Sequence, residues 1–400
     1  MKKILLMAFM MAATSGAFAQ DAVKKAQALL KSNDFKGAIE AIQPALNQGT
    51  AQDKAAAWNM LADINYQQYS NIYDEIMKNK TLGKAAPYDT ATINKASIEA
   101  LKAASECYKY DIQPNEKGKV KPKFSKDNAV RMVGVRNYLL TVGNDAYNSK
   151  DYKTAFDGFG LFVESSKDPL FAESKLDNSN LAMVSYYTML AAYFDKNNKG
   201  VIEFADKAMG DTADVKTVIE LKAAAYQNIG DTVSYVKTLE VAHAKFPDAD
   251  NYFEWLMNYY LNKGNAQVLQ QFADKEASVN PNSKFTFYAK GVAAEFAKNW
   301  DAAVDAYKKA VDIDAKYANA TYNAGRALLQ KANEIRNDQK LGAQATAKSN
   351  PYIKESIKYL EMTKQLLPDR KDLWAYLLQT AYYAVGDNAK SAEYEKLTKE

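Results

Sequence analysis

Chemistry in this chain has few side chains to draw on. His243 is the only histidine and Cys107 the only cysteine among 400 residues. A Cys–His nucleophilic pair must sit within hydrogen-bond reach, and these two lie far apart in sequence. Cys107 stands among Ala103, Ala104 and Tyr108 in a helical pattern, the setting of a buried, inert thiol. His243 falls in "EVAHAKFP", near the end of a predicted helix, where an imidazole can interact with the terminal carbonyls. There is no C-x-x-C or H-E-x-x-H, so a zinc site would rest on carboxylates alone. Neither G-x-G-x-x-G, nor a Walker loop, nor G-x-S-x-G is present. "DKNNKG" at 195–200 begins like a calcium loop, but its twelfth place is Asp206 rather than a bidentate Glu, which makes it a hairpin turn. Carboxylates are common, yet none stands out from helix-surface pairing such as Glu355 with Lys354 and Lys358. The expectation is no catalytic residue, no cofactor and no metal: not an enzyme.

The first twenty residues, "MKKILLMAFMMAATSGAFAQ", are a separate object. Lys2 and Lys3 precede an apolar run from Ile4 to Ala13, and Ala17-Phe18-Ala19 has the A-x-A form of a cleavage site. This reads as a secretory signal peptide, 1–19, placing the mature chain in the periplasm or outside the cell. The run is shorter than the roughly 20 residues of a spanning helix, and no Cys follows the cleavage site to be acylated, so a lipoprotein is not expected. No later segment is apolar enough to span a bilayer. One cysteine excludes an intramolecular disulfide. Of 52 basic residues two leave with the leader, and the remainder nearly balance 48 acidic ones. Such a chain has no general attraction to nucleic acid or acidic membranes.

What could position a binding site is helical. Strand signals are scarce. Apolar residues recur three and four apart almost everywhere, as in "NWDAAVDAYKKAVDIDAKY", where Asp301 is a candidate cap and Ala303, Val304, Tyr307, Ala310, Val311 and Ile313 form one face. A helix this short needs a neighbour. Turns come as "SND" at 32–34, "SKD" at 149–151, "GD" at 230–231, "GN" at 264–265 and "GD" at 386–387: a left-handed stop, then an Asp or Asn cap for the next helix. These are helical hairpins, and they repeat. Gly230, Gly264 and Lys298 are spaced by 34 residues, as are Ala223, Met257 and Gly291, and Leu239, Ala273 and Tyr307. A fixed period of that size marks a helix-pair solenoid.

The pattern resembles the tetratricopeptide repeat family. Ala303-x3-Tyr307-x2-Ala310 fits its second-helix motif, Ala38-x3-Ile42-x2-Ala45 fits with an aliphatic in the aromatic's place, and Trp58-x2-Leu61-Ala62 fits the first helix. Small residues let helix backbones approach and aromatics fill the wider gaps. Met257 and Leu378 replace small residues and Glu276 replaces an Ala, so the matches are degenerate. The resemblance implies an all-α, right-handed α-solenoid of about nine antiparallel hairpins. Two are elongated: residues 52–110 run through "YSNIYDEIMKN" to the loop "TLGKAAPYDT", and residues 317–366 through "LLQKANEIRN" to "LGAQATAKSNP". The expected organisation is N-terminal hairpins over 20–112, a Lys/Pro-rich linker over 113–127, and the main array over 128–400.

In such arrays the first helices line a concave face. Carried over place by place, the resemblance puts Asn59, Asp63 and Tyr66 there, then Leu140, Asn144 and Tyr147, then Tyr186, Leu190 and Tyr193. It continues with Gln227, Asn228, Glu254 and Asn258, and ends with Tyr288, Glu295, Tyr322, Arg326, Tyr376 and Tyr383. Asn144 and Asn258 hold places where family members grip a peptide backbone with a side-chain amide, which donates and accepts at once. Tyr supplies rigid contact area with a polar tip. The expected function is a non-enzymatic periplasmic scaffold binding segments of envelope or secreted proteins. The alternative is a carbohydrate-binding envelope protein with a Tyr-rich groove.

Overall fold

The computed structural model describes residues 2–210 and 214–398, with side chains from residue 17 onward, and every regular element among them is helical. The chain divides into two compact units, Met1–Thr238 and Leu239–Glu400. The first holds α1 (Lys2–Lys31), α2 (Phe35–Ile42), α3 (Ala51–Thr81), α4 (Thr90–Asp111), α5 (Ser125–Asn148), α6 (Tyr152–Ser165), α7 (Leu181–Phe194), α8 (Asn198–Ala208), α9 (Val215–Asn228) and the first half of α10 (Thr232–Lys245). The second holds α11 (Asp250–Asn262), α12 (Ala266–Val279), α13 (Lys284–Phe296), α14 (Trp300–Ile313), α15 (Ala318–Asn337), α16 (Gln344–Leu366), α17 (Lys371–Ala384) and α18 (Asn388–Leu397). Within each unit a helix packs on its hairpin partner and then on the next helix in the chain, as in α5 on α6 and α6 on α7, or α13 on α14 and α14 on α15. The leader's apolar run lies outside the described side chains; α1 continues through the expected cleavage site, with Phe18 exposed and Ala19 buried.

The turns follow the expected chemistry. Asp34, Asp151, Asp231, Asn265 and Asp387 each accept a backbone N–H from the first turn of the helix that follows. Just before them the backbone turns left-handed, at Asn33, Lys150, Gly230, Gly264 and Gly386. Asp301 is not the cap of α14. Asn299 is, accepting from the Ala302 N–H at 3.2 Å, and Asp301 instead receives Lys331 Nζ at 2.9 Å. Ile313, in the last turn, is exposed rather than part of the buried face.

Three hairpins are held by a glycine set against a large side chain. A Cβ on Gly291 would lie 2.5 Å from the Tyr307 ring, and one on Gly325 would lie 2.7 Å from Leu360. Gly143 meets the face of Phe159 in the same way. The partner of α14 is therefore α13, as its apolar face requires.

Both elongated hairpins form. The 31 residues of α3 extend about 46 Å at 1.5 Å per residue. In the second, the expected loop is shorter than its composition implies. Only residues 338–343 lie outside helices, and α16 begins at Gln344 and carries Pro351 inside it. The proline forgoes one backbone N–H donor, and the helix is anchored there by Arg336, which donates to Ser349 Oγ at 3.0 Å and Asn350 Oδ1 at 3.3 Å.

The Lys/Pro-rich stretch leads from α4 to α5 within the first unit. Its end is tied down by Asp111, which accepts the N–H groups of Lys123, Phe124 and Ser125 and the Ser125 hydroxyl at 2.6 Å. The side chain thus caps α5 from the end of α4. Burial works against its charge, but these donors prevail and hold the carboxyl below its usual range.

Candidate binding surfaces

The inner positions of the first unit divide into spent and available side chains. On α3, Asn59 Nδ2 donates to Asp63 at 2.9 Å and Asn59 Oδ1 accepts from Asn128 of α5 at 3.1 Å. Arg131, also on α5, pairs with Asp63 and stands 5.2 Å from the centre of the Tyr66 ring. Burial raises the Asp63 carboxyl, and Arg131 opposes that shift. Asn59, Asp63 and Tyr66 therefore join α3 to α5. Asn228 is similarly engaged, donating to Asn198 at 3.1 Å, whereas Gln227 beside it is exposed.

Between α5 and α7 the pattern is different. Asn144 is exposed, and Tyr147 is half-buried among rings. Its centroid lies 5.6 Å from Tyr152, 5.9 Å from Tyr187 and 6.3 Å from Phe194. Tyr186 extends the set beside Tyr187, and Tyr193 beside Phe194. Met183, Tyr187, Tyr193 and Phe194 are exposed. The rings support one another edge-to-face while their outer sides stay wet, a contiguous aromatic surface of the kind that marks an interaction site. Three members, Tyr152, Tyr187 and Phe194, are absent from the carried-over set. The paired aromatics at 186–187 and 193–194 signal Tyr187 and Phe194, because consecutive helical residues diverge by 100° and one apolar face cannot bury both; no such pair marks Tyr152.

In the second unit Glu254 is satisfied by Asn319 Nδ2 at 2.8 Å, and Asn258 is exposed. Tyr288 is buried. Its hydroxyl accepts from Asn323, which in turn accepts from Arg326. Arg326 pairs with Glu295, and Glu295 accepts from the Tyr307 hydroxyl at 2.9 Å. Tyr288 thus belongs to the core of its unit, packed among the rings of Phe253, Tyr307 and Tyr317, and offers no surface to a ligand. Tyr322 is half-buried, 5.7 Å from the Arg326 guanidinium.

Beyond this network α15, α16 and α17 leave an open cleft of about 960 Å³. Tyr376 and Tyr383, 63% and 72% exposed, stand on its α17 side. Arg326, Arg336, Asn333, Thr380 and Leu377 are among its lining residues, and no Asp or Glu is. The carried-over positions supplied Arg326, Tyr376 and Tyr383 but not Arg336, which sits in the lengthened part of α15.

Cys107 is buried, its thiol donating to the Ala55 carbonyl at 3.3 Å, and burial pushes it up to about 12. His243 does not serve a helix end. Its Nε2 meets the Glu276 carboxylate of α12 at 3.0 and 3.1 Å, between the rings of Phe253 and Phe285. Among the described residues no group of three or more His, Cys, Asp or Glu side chains is arranged to hold a metal. Nor is any helix among them long and apolar enough to cross a membrane.

Capped hairpins in succession, with glycine against aromatic where paired helices meet, define the class: an α-solenoid of tetratricopeptide-type repeats. No protein-family profile and no curated protein matches the chain. Among solved structures it is similar to a tetratricopeptide repeat protein of Bacteroides fragilis, 20% identical over 62% of this chain and 97% of that one, with a TM-score of 0.35. The C-terminal part of a repeat-containing protein of Cytophaga hutchinsonii is 15% identical over 64% and 92%, TM-score 0.38. A tetratricopeptide repeat protein of Parabacteroides merdae is 12% identical over 66% and 99%, TM-score 0.30.

Proposed function

We propose that the chain is a non-enzymatic interaction scaffold, exported to the periplasm or beyond, that holds a segment of an envelope or secreted protein on its exposed first-helix faces. The observation that carries this reading is the aromatic surface of α5 and α7, where Tyr187, Tyr193 and Phe194 stand exposed around Tyr147. Aromatic groups already ordered by their neighbours offer contact area at little entropic cost. The leader-like start supports export, and the absence of any catalytic motif from the sequence supports a binding role.

The test is affinity capture of the tagged protein from solubilised envelope of its own organism, beside a variant with Asn144, Tyr193 and Phe194 changed to Ala. A discrete partner, lost in the variant, is expected. A partner that persists in the variant removes these residues from the proposal. Capture of no protein, with heat on titration of oligosaccharides, overturns the scaffold reading. N-terminal sequencing of the cell-fractionated protein tests export, with Gln20 expected first.

A further inference from the structure

We infer that the cleft between α15, α16 and α17 is an acceptor site for one carboxylate, supplied by an acidic residue of a bound peptide. The argument starts from Arg336. Its Nε and Nη2 are held by Ser349, Asn350 and the Ala384 carbonyl, all uncharged acceptors. Arg326, the other cation lining the cleft, is already neutralised by Glu295. With no acidic residue in the lining, one positive charge stands without a counter-charge at the wall of a cavity. Its guanidinium is fixed by three bonds through Nε and Nη2, so it is pre-organised, and among the described residues Nη1 takes no part in them. A fixed guanidinium matches a planar monoanion. A phosphate dianion would bring more charge than the site compensates.

The rest of the cleft reads as a peptide channel. Asn333 can donate and accept, as a peptide backbone requires, and the Thr380 hydroxyl, which donates to the Leu377 carbonyl at 3.0 Å, can still accept. Leu377 and Ile353 give an apolar wall beside the charge. Tyr376 and Tyr383 are two helical turns apart, about 10 Å, and flank the opening with their rings in solvent. The site is also local to the insertion. Arg336 lies in the last turn of a 20-residue helix whose counterpart α13 has 13 residues, so an ordinary repeat ends before reaching it. That the occupant is a peptide rests on the scaffold reading above; the anion site rests on the cleft alone.

The experiment is a screen of the full-length protein on an array of capped pentapeptides, followed by calorimetric titration of the best binder and its Gln or Asn counterpart. The best binders are expected to carry Glu or Asp beside an apolar residue. Their amide counterparts are expected to bind about ten-fold more weakly, the factor for about 1.4 kcal/mol. Arg336→Gln abolishes that difference. Tyr383→Ala weakens both peptides several-fold at an unchanged melting temperature, because Tyr383 is 72% exposed. Should Arg336→Gln unfold, since it also holds Ala384, the acid-to-amide comparison in the unaltered protein still decides. Binders without an acid, equal affinity for acid and amide forms, no binder, or tighter binding of oligogalacturonate than of any peptide would each overturn the inference. A null array beside a partner captured through Tyr193 and Phe194 removes the cleft site and leaves the scaffold standing.

Discussion

His243 and Glu276 offer a sharp test of how this array tolerates departures from its repeat. Their side chains are 8% and 5% exposed, and the carboxylate has one further donor, Asn280 Nδ2 at 3.3 Å. His243 Nδ1 is already buried without a partner. Glu276→Met leaves the second ring nitrogen stranded as well, at a cost of about 1–3 kcal/mol. His243→Leu leaves a buried carboxylate with a single weak donor, at about 3–5 kcal/mol. If the two losses were independent, the double variant would lose about 4–8 kcal/mol. The structure argues otherwise. With both polar groups gone, Leu and Met fill a site already walled by Phe253 and Phe285, and the double variant is expected to lie between neutral and about 2 kcal/mol more stable than the parent. Urea unfolding followed through Trp255, whose ring packs against Tyr252 in α11, reports on this unit. A double variant as unstable as the sum of the singles would show that the pair is not a closed local exchange, and the reasoning would fail.

Three further outcomes follow from single contacts. Gly291→Ala drives a methyl into the Tyr307 ring and should cost about 1–3 kcal/mol in urea unfolding, partly recovered by adding Tyr307→Leu. Lys298 occupies the place of Gly230 and Gly264 at φ 57°, so Lys298→Gly should raise stability by roughly 0.5–1 kcal/mol, relief of the left-handed strain exceeding the entropy of a new glycine; a fall would refute it. Asp111 is held below its ordinary range in the fold, so its contribution is full above the unfolded value of about 3.9 and is lost as pH falls through the folded value. Asp111→Asn should therefore lower stability near neutrality and flatten its decline between about pH 5 and pH 2, with faster amide exchange at Lys123, Phe124 and Ser125.

The hairpins were legible because their determinants are local. A cap such as Asp151 binds an amide three residues on, and a left-handed stop precedes it. The surfaces were less so. Asn59 and Asp63 occupy first-helix inner places, but their free valences are taken by Asn128 and Arg131, 69 and 68 positions away. No periodicity in a single sequence announces that pairing. Arg336 fails for another reason: it lies where the helix outgrows the repeat, so no neighbouring hairpin supplies a position to compare it with.

The degenerate positions carry a physical logic of their own. Glu276 breaks an alanine place, and the nearby histidine compensates it across α10 and α12. Met257 breaks a small-residue place in α11, and the aromatic place 16 residues on is filled by Ala273, so large and small have changed sides while both stay buried. Gly291 with Tyr307 and Gly143 with Phe159 keep the usual order. At these three seams one large and one small residue face each other across the hairpin, whichever helix carries the large one. A Met257→Ala change alone should consequently destabilise by about 2–5 kcal/mol although it restores the repeat's small residue, and adding Ala273→Phe should recover part of that loss. If Met257→Ala were neutral in urea unfolding, the seam would be loosely packed there and the volume argument would not hold.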